Sequence, residues 1–349
     1  MLVNRLTRGI QQSKHIQLYE QEGIHSTSGV RATVFGATGF LGKAIGSSLG
    51  GIGSDLVYPS KNMWTISDNI KRLRLTGNLG MVYIAHNMNF EDPRAIFRSM
   101  ANSNVVINCL GPRRYSISYE QFKKVNIDIP QSIAKQARLA GVKRMIHLSS
   151  VGVDPRSPSL DLQTKFYGEQ AVLDEFPDAT IFRLCTVVGM NDYFQKIFRK
   201  QASFFMHFVP VYTDLLAKRQ PITDEDISLC VINAIKMTES CGQTYELGGP
   251  HVYSLHEIYE VMMNILEKPL TFAKINKHLA LKLSLIKSWQ HFNYDDIIKS
   301  DLDLIVERRN GVKTIEDLLV RPASVVPTLE ELVGLYKEIV GVVKNDSQI

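Results

Sequence analysis

At 349 residues, 44% of them hydrophobic and 21% charged, the chain has the composition of a globular protein and not of a disordered or fibrous one. Its formal net charge of +5 arises from 40 basic and 35 acidic residues scattered along the sequence, which disfavours a nucleic-acid-binding surface. The four cysteines lack CxxC spacing and the nine histidines lack paired-ligand spacing, so neither a disulfide framework nor a metal site is predicted.

Residues 1–29 form a basic arm ahead of the first predicted strand. The first 19 residues carry three basic and no acidic residues, with apolar residues near helical spacing. A basic, acid-poor, amphipathic start is typical of a mitochondrial presequence, and the alternative is a short positively charged tail. The residues concerned are Arg5, Arg8 and Lys14, with Leu2, Leu6, Ile10 and Leu18.

A strand, a glycine turn and a helix follow in direct succession. Val30–Phe35 is a β-branched and apolar run, Gly36–Gly42 holds three glycines at a spacing of three, and a helical pattern starts at Ala44. This order is typical of the opening of a mononucleotide-binding fold. The glycines allow a sharp turn, a close approach of backbone amides to a pyrophosphate and tight packing of helix on strand. The alternative is a glycine turn that serves packing alone.

Strands and helices then alternate as far as about residue 189, which predicts an α/β fold with a Rossmann-type, doubly wound parallel sheet. Residues 30–250 are predicted to form this NAD(P)-binding domain. Residues 251–349 are predicted to form a smaller, mostly helical C-terminal docking region, with capping boxes at Ser254/Glu257 and Thr328/Glu331 and a last helix over Leu329–Val343. The further strands are Leu56–Tyr58, Met81–Ala85, Val105–Ile107, Met145–Leu148, Thr180–Leu184 and Thr244–Leu247, and the helices are Arg94–Met100, Asn126–Ala140 and Asp161–Phe176.

The end of the second strand favours NADP(H) over NAD(H). A carboxylate there would bind the ribose 2′-hydroxyl of NAD, but Ser60 and Lys61 stand there and no acidic residue follows until Asp68. Lys61 suits a 2′-phosphate, and the alternative is a solvated loop lysine. The small or apolar residues that follow the fourth strand are predicted to border the bound nucleotide, namely Asn108, Cys109, Leu110 and Gly111.

The catalytic positions resemble those of the extended short-chain dehydrogenases/reductases with one departure. That family needs a tyrosine four residues before a lysine on one helix, and a serine at the end of the preceding strand. Ser149 and Lys165 match, but Asp161 stands at the tyrosine position. A carboxylate is ordinarily an anion and does not supply a phenolic proton. The pair Tyr119 and Lys123 has the literal spacing, but it follows the fourth strand and not the fifth, so no catalytic residue is predicted.

A closer resemblance is to the alpha subcomplex subunit 9 family of accessory subunits of mitochondrial respiratory complex I. It covers residues 30–250 well and the remainder loosely. Three features depart from that family: Asp161, Leu184 in place of a customary proline, and the missing acid in His86–Asn89. The segments that carry the resemblance are Val34–Gly42, Asn104–Asn108, Asp128–Ala134, Ala140–Ser149, Lys165–Glu169, Gln220–Pro221, Val231–Ala234 and Ile315–Leu318.

This resemblance implies a non-catalytic subunit that binds NADP(H) structurally. It implies a peripheral position on the matrix side of the mitochondrial inner membrane, at the junction of the peripheral and membrane arms, with a role in assembly. The C-terminal region would contact other complex I subunits and lipid, and Phe194–Phe208 is one candidate contact whose alternative is a lid on the Rossmann domain. The predicted cofactor-binding residues are Gly36, Ala37, Thr38, Gly39, Phe40, Leu41, Gly42, Ser60, Lys61, Asn108, Cys109, Leu110, Gly111, Ser149, Lys165 and Leu184.

Two other functions stay open at this point. One is an active NADP-dependent reductase or epimerase that uses Ser149 and Lys165 with an unusual acid. The other is a redox-sensing or RNA-associated Rossmann regulator, which the lack of a basic surface interleaved with aromatic residues disfavours.

Overall fold

The computed structural model describes residues 26–61, 79–112, 118–189, 208–211, 213–265, 271–284, 294–307 and 312–331. The basic arm up to residue 25 and most of the candidate contact segment Phe194–Phe208 therefore lie outside the described residues. The chain divides into two compact units, each built from three stretches of sequence. The first unit comprises Met1–Leu184, Asp224–Leu247 and Glu307–Arg321, and the second comprises Cys185–Thr223, Gly248–Val306 and Pro322–Ile349.

These units differ from the contiguous ranges expected from the sequence. Residues 185–223 fall in the second unit although they lie inside the range 30–250, and residues 307–321 return to the first unit. The reason is the sheet, which recruits two strands from distant parts of the chain and so draws the intervening segments into separate cores.

A parallel sheet of eight strands forms the centre of the first unit, in the order β3-β2-β1-β4-β5-β6-β11-β14. Its apolar, β-branched strands are largely buried, as expected of a parallel sheet covered on both faces. The predicted doubly wound α/β fold is confirmed. The strands are β1 Arg31–Phe35, β2 Asp55–Pro59, β3 Val82–Ala85, β4 Val105–Asn108, β5 Arg144–Ser150, β6 Thr180–Leu184, β11 Thr244–Leu247 and β14 Lys313–Thr314.

Helices pack against this sheet in two groups. Helix α1 contacts α6, while α2, α4 and α5 contact one another in succession and bury apolar residues with the sheet. The helices of this unit are α1 Phe40–Gly51, α2 Pro93–Ser99, α3 Tyr119–Lys123, α4 Ile129–Leu139, α5 Leu160–Glu175 and α6 Asp224–Lys236.

The helix predicted over Asn126–Ala140 differs at its start. The structure has a π-helical turn at Lys124–Asp128 between α3 and α4. Pro130 has no N–H to donate to the Asn126 carbonyl, so the regular hydrogen bond of an α-helix cannot form at this point. Helix α5 approaches the same carbonyl closely, because a Cβ atom on Gly168 would lie 1.9 Å from the Asn126 oxygen.

Two buried side chains secure the segments around β11 and β14, the two strands that join the sheet from late in the sequence. Arg144, which is 3% exposed, directs its guanidinium to the carbonyls of Ala234 and Met237 at the end of α6. Asn233 donates from Nδ2 to the Leu318 carbonyl at 2.8 Å, which secures the 3-10 turn Glu316–Leu318 against α6. These bonds join segments that are about 90 residues apart in sequence.

Among its described residues the second unit contains three two-stranded sheets, three helices between residues 255 and 299, and a fourth helix over residues 326–331. β7 (Val187–Val188) pairs with β10 (Ile222–Thr223), β8 (Phe208–Val211) with β13 (Thr271–Lys274), and β9 (Lys218–Arg219) with β12 (Tyr253–Ser254). The first three helices are α7 Leu255–Ile265, α8 Lys277–Ser284 and α9 Tyr294–Lys299. An apolar core lies under α7 and includes Val211, Leu215, Leu255, Ile258 and Met262.

One of the two predicted capping boxes is confirmed and the other is wrong. The Ser254 amide donates to the Glu257 carboxylate at 2.6 Å, and the Glu257 amide donates to the Ser254 hydroxyl at 3.2 Å. Thr328 cannot cap its helix, because the helix already begins at residue 326. The apolar residues Val325 and Leu329 are buried together and draw the first turn N-terminal to the predicted start. The described part of this helix ends at residue 331.

Arg144→Leu is expected to destabilise the first unit by about 3 kcal/mol, because the buried carbonyls of α6 lose their donors. Arg156→Leu is the matched control, since the Arg156 side chain is 92% exposed and 3.9 Å from its nearest carboxylate. Thermal unfolding followed by circular dichroism measures both effects. Equal melting temperatures for the two variants would show that the Arg144 contacts contribute nothing to stability.

Candidate nucleotide-binding site

The glycine turn is a close-packed junction between β1 and α1. Gly36 has a φ of +85°, which favours glycine, and a Cβ atom there would lie 2.8 Å from the Cys109 carbonyl oxygen. A Cβ atom on Gly42 would lie only 2.3 Å from the Gly36 carbonyl oxygen. The Gly39 amide donates to that same carbonyl at 2.8 Å. The backbone therefore needs glycine at Gly36 and Gly42 to bring α1 against the strand.

The N-terminus of α1 is chemically suited to an anion. Among the described residues, no side chain caps this helix end, and no acidic residue stands in its first turn. The backbone amides and the helix dipole favour negative charge at such an end. Within the turn, Ala37 is buried, whereas Thr38 and Gly39 are exposed and Phe40 and Leu41 are half-buried. A dinucleotide phosphate thus fits the turn without displacing a carboxylate.

The glycine turn lies at the topological switch point of the sheet, where the order of successive strands reverses direction. β1 has β2 on one side and β4 on the other, and Phe35 lies in register with Asn108. The Cys109 amide continues the pairing by donating to the Phe35 carbonyl at 2.9 Å. Ligands of open parallel sheets bind in the crevice outside the carboxyl ends of the strands at such a reversal.

Ser60 and Lys61 follow β2 at this same edge. Ser60 is 4% exposed, and its backbone pairs with Ala85 and with Met88. Lys61 is exposed and contributes to holding the pKa of Glu91 below its usual value, after the larger effect of Lys124, which lies 2.6 Å from Glu91. The position of Lys61 is therefore accessible to an anion, while Ser60 is constrained by the strand.

Asn108 organises the end of β4. Its Nδ2 and the Nδ1 of His147 are 3.0 Å apart, and its Oδ1 accepts from the Leu110 amide at 3.1 Å. Burial, with a smaller effect of Lys165, lowers the pKa of His147 to about 4, so this histidine is neutral at physiological pH. Asn108 is itself fully buried, so it shapes the loop Cys109–Gly111 and leaves that loop's backbone to line the crevice.

The family's catalytic positions come together between β5 and α5. Lys165 Nζ lies 3.2 Å from Asp161 Oδ2, and the Asp161 side chain is 7% exposed. Asn126, from the π-helical turn, donates to Asp161 Oδ1 at 3.0 Å and to Thr164 Oγ1 at 2.9 Å. Both carboxylate oxygens of Asp161 thus have partners, and the negative charge of Asp161 balances the positive charge of Lys165.

Ser149 presents a buried hydroxyl at the end of β5. The residue is 5% exposed, and its Oγ has no hydrogen-bond partner among the residues that the structure describes. An orphaned buried hydroxyl costs free energy unless a ligand or water satisfies it. Together with the glycine cradle, this atom indicates that a nucleotide fits the site.

The end of β6 is held by a buried ion pair. Arg183 binds Glu169 through both Nε and Nη2, at 3.1 Å and 2.8 Å to Oε2, and burial of Glu169 makes this pair part of the core. Leu184 follows it, is 5% exposed, and accepts from the Val151 amide at 3.0 Å. The pair fixes α5 beside β6 and so fixes the position of Lys165 along the sheet edge.

The sequence did not reveal three groups that shape the candidate site. Asn126 lies within a predicted helix, His147 within a predicted strand, and the Glu169–Arg183 pair joins two elements. The proline two residues into α4 was the one local signal for the irregular turn at Asn126. No local sequence pattern indicates the ion pair between Glu169 on α5 and Arg183 on β6, which are 14 positions apart.

The arrangement defines a nicotinamide-nucleotide-binding Rossmann protein of the extended short-chain dehydrogenase/reductase class. Residues 32–248 match the family model described as the NAD dependent epimerase/dehydratase family. The chain is 33% identical over 300 residues to the mitochondrial NADH dehydrogenase (ubiquinone) 1 alpha subcomplex subunit 9 of Arabidopsis thaliana, covering 81% of this chain and 73% of the relative. The corresponding subunit of Mus musculus is 34% identical over 72% of this chain and 67% of its own length.

A third relative is the mitochondrial NADH-ubiquinone oxidoreductase 40 kDa subunit of Neurospora crassa, 30% identical over 87% of this chain and 79% of its own. The chain belongs to the NAD dependent epimerase/dehydratase family and, within it, to the group formed by these alpha subcomplex subunit 9 proteins.

Solved structures share the fold at low identity. Triphenylmethane reductase of Citrobacter sp., complexed with NADP(H), superposes with a TM-score of 0.67 at 15% identity, covering 86% of this chain and 99% of that one. The dTDP-glucose 4,6-dehydratase DesIV of Streptomyces venezuelae, with NAD bound, gives 0.66 at 16% identity, covering 89% and 98%.

Within the part of the chain that the structure describes, no helix has the length and apolar character required to cross a membrane. The same described residues contain no cluster of three His, Cys, Asp or Glu side chains arranged to hold a metal ion.

Gly42→Ala is expected to lower the affinity for a nicotinamide dinucleotide at least tenfold, because the added methyl group would push the Gly36 carbonyl and open the turn. Gly51→Ala in the same helix is the control, since no described atom lies within 4 Å of its Cβ position. Calorimetric titration of both variants measures the effect. Equal affinities would contradict the assignment of the turn as the phosphate cradle.

His147 is expected to make the protein less stable in mild acid. Its folded pKa of about 4 lies below its ordinary value of 6.5, so between these values the unfolded chain binds a proton that the folded chain excludes. The contribution of His147 to stability is therefore present above pH 6.5 and falls by about 3 kcal/mol as the pH drops to about 4. Denaturant titrations across this range should give a shallower dependence for His147→Gln than for the wild type and for the exposed control His278→Gln. Identical slopes in all three proteins would contradict this assignment.

Proposed function

We propose that this protein is an accessory subunit of mitochondrial NADH–ubiquinone oxidoreductase that holds NADP(H) as a structural group and does not turn it over. The observation that carries the proposal is the ion pair of Asp161 with Lys165 at the position where the family's chemistry needs a phenol. The relatives at 30–34% identity are named as subunits of that mitochondrial oxidoreductase.

The chemistry of the site supports binding without turnover. A bound nicotinamide nucleotide supplies a hydride, and reduction of a carbonyl also needs a proton donor at its oxygen. Asp161 cannot take that part as an anion, since one oxygen faces Lys165 and the other accepts from Asn126. Lys165 is held by the same carboxylate and is not paired with a phenol. The glycine turn and the Ser149 hydroxyl keep their capacity to bind.

The choice of NADP(H) is part of the proposal. Lys61 is exposed directly beyond β2 and suits the 2′-phosphate, whereas a carboxylate at this point would repel it. Among the predicted contacts, the backbone of Gly36–Gly42 would hold the pyrophosphate, Asn108–Gly111 would border the ribose, and Ser149, Lys165 and Leu184 would meet the nicotinamide half.

The location and partners follow from the group to which the chain belongs. We place the protein peripherally on the matrix side of the mitochondrial inner membrane, where the basic residues of its first 19 positions agree with import. In this proposal the first unit, which contains most of residues 30–250, holds the nucleotide. The part of residues 251–349 that belongs to the second unit contacts other complex I subunits and lipid at the junction of the two arms and supports assembly.

The second candidate function is an active NADP-dependent reductase or epimerase. The observation that favours it is Ser149, whose buried hydroxyl has no partner among the described residues and is available to a substrate oxygen. This candidate needs a proton donor other than a phenol at position 161.

The proposal is tested on the protein isolated with its native assembly. We expect it to migrate with the complete respiratory complex on native gels, and we expect denaturing extraction to release NADP(H), identified by mass. The purified full chain should oxidise NADPH no faster than buffer in the presence of aldehydes, ketones, quinones and nucleotide sugars.

Each contrary result has a separate meaning. A free monomer in the matrix would contradict the role as a subunit, and release of NAD(H) alone would contradict the assignment of Lys61. Turnover above the buffer rate that is lost in Lys165→Met, while thermal stability is kept, would establish the enzyme instead.

A further inference from the structure

We propose that Asp161 shifts the redox preference of the site toward the positively charged oxidised nicotinamide, because it cancels the charge of Lys165. This inference rests on the proposed nucleotide-holding function and concerns a property of the site that neither the family nor the fold specifies. It follows from the charge, burial and contacts of the residues between β5 and α5.

The first step is a count of charges at this end of the site. Lys165 contributes one positive charge and Asp161 one negative charge, 3.2 Å apart. His147 is uncharged at neutral pH because burial lowers its pKa to about 4. Glu169 is matched by Arg183 through a two-point contact. Arg183 also lies 3.6 Å from Glu246, and this group is the same whatever residue stands at position 161. Lys165 and Asp161 cancel each other, whereas a tyrosine at position 161 would leave the charge of Lys165 unbalanced.

The second step is that the carboxylate cannot move away or be screened by water. The Asp161 side chain is 7% exposed, and Asn126 donates to its second oxygen at 3.0 Å. Asn126 is itself fixed by the π-helical turn and by its second bond, to Thr164 Oγ1 at 2.9 Å. A charge held in this manner interacts with its surroundings at a lower effective dielectric than a surface charge.

The third step concerns the ligand. The nicotinamide ring carries a formal positive charge when it is oxidised and none when it is reduced. An unbalanced lysine opposes the oxidised ring, and Asp161 cancels that opposition. The carboxylate therefore raises the affinity for NADP+ relative to NADPH, compared with the same site without it.

A purely structural reading of Asp161 is that it only ties the π-helical turn to α5. That reading predicts a loss of stability when the carboxylate is removed, together with an equal loss of affinity for both nucleotides. The ratio of the two dissociation constants separates the two readings, because an unfolded fraction lowers the binding capacity for both ligands in the same preparation.

The experiment titrates the full chain, stripped of nucleotide, with NADP+ and with NADPH by calorimetry. Asp161→Asn keeps the size of the side chain and an acceptor for Asn126 while removing one negative charge. We expect this variant to weaken NADP+ at least fivefold relative to NADPH, which corresponds to a rise of about 20 mV in the potential of the bound two-electron couple. Asp174→Asn, exposed on the same helix, should leave the ratio unchanged.

A second variant keeps the test decisive if Asp161→Asn is poorly folded. Lys165→Met removes the positive charge and should change the ratio in the opposite direction, whatever it does to the absolute affinities. If the wild-type chain binds neither nucleotide, the proposed function falls and this inference falls with it. If both nucleotides bind and the ratio is the same in wild type and Asp161→Asn, this inference alone is overturned.

Discussion

The contact between Gly42 and the Gly36 carbonyl is the constraint on which the nucleotide end of the molecule depends. A side chain at position 42 would begin 2.3 Å from that oxygen, so α1 reaches its place against β1 only because none is there. The same turn presses Gly36 against the Cys109 carbonyl, which joins the ends of β1 and β4. One backbone junction therefore fixes the helix dipole, the switch point and the crevice between the two strands.

A second close approach governs the other end of the crevice. Gly168 allows α5 to lie against the Asn126 carbonyl, which Pro130 leaves without its usual helical donor. The Asn126 amide then turns toward Asp161 and the Glu169–Arg183 pair holds the far side of α5. The residues that would ordinarily do chemistry are thereby positioned by a local irregularity and not by the regular helix.

Much of the first unit could be predicted because its signals are local. The strand Val30–Phe35, the glycine turn and the exact bounds Thr180–Leu184 and Thr244–Leu247 all follow from short apolar runs and turn residues. The interleaving of the two units could not be predicted, because it depends on pairings such as β6 with β11 that no local pattern specifies. The contacts of Arg144 with α6 could not be predicted either, because a single arginine at the start of a strand is ordinarily expected at the surface.

The site itself was predicted unevenly for a related reason. Spacing along one helix identified Asp161 and Lys165 as neighbours, and their ion pair follows from that spacing alone. The neutral state of His147 and the second partner of Asp161 depend on burial and on another element, so the sequence could not supply them. Sequence patterns therefore identify which groups are present, while packing decides what charge they carry.

The buried ion pair also explains how the fold tolerates the missing phenol. An apolar residue at position 161 would leave Lys165 unpaired at 21% exposure and would remove one of the two acceptors of the Asn126 amide. Breaking a buried pair by removing one partner costs more than never forming it, because the remaining charge loses its compensation. An aspartate satisfies both neighbours, so α5 keeps its lysine paired where the family's tyrosine is absent. Under the proposed function, binding and turnover are separable at this single side chain, because Asp161 balances the charge of Lys165 where the family's tyrosine is absent.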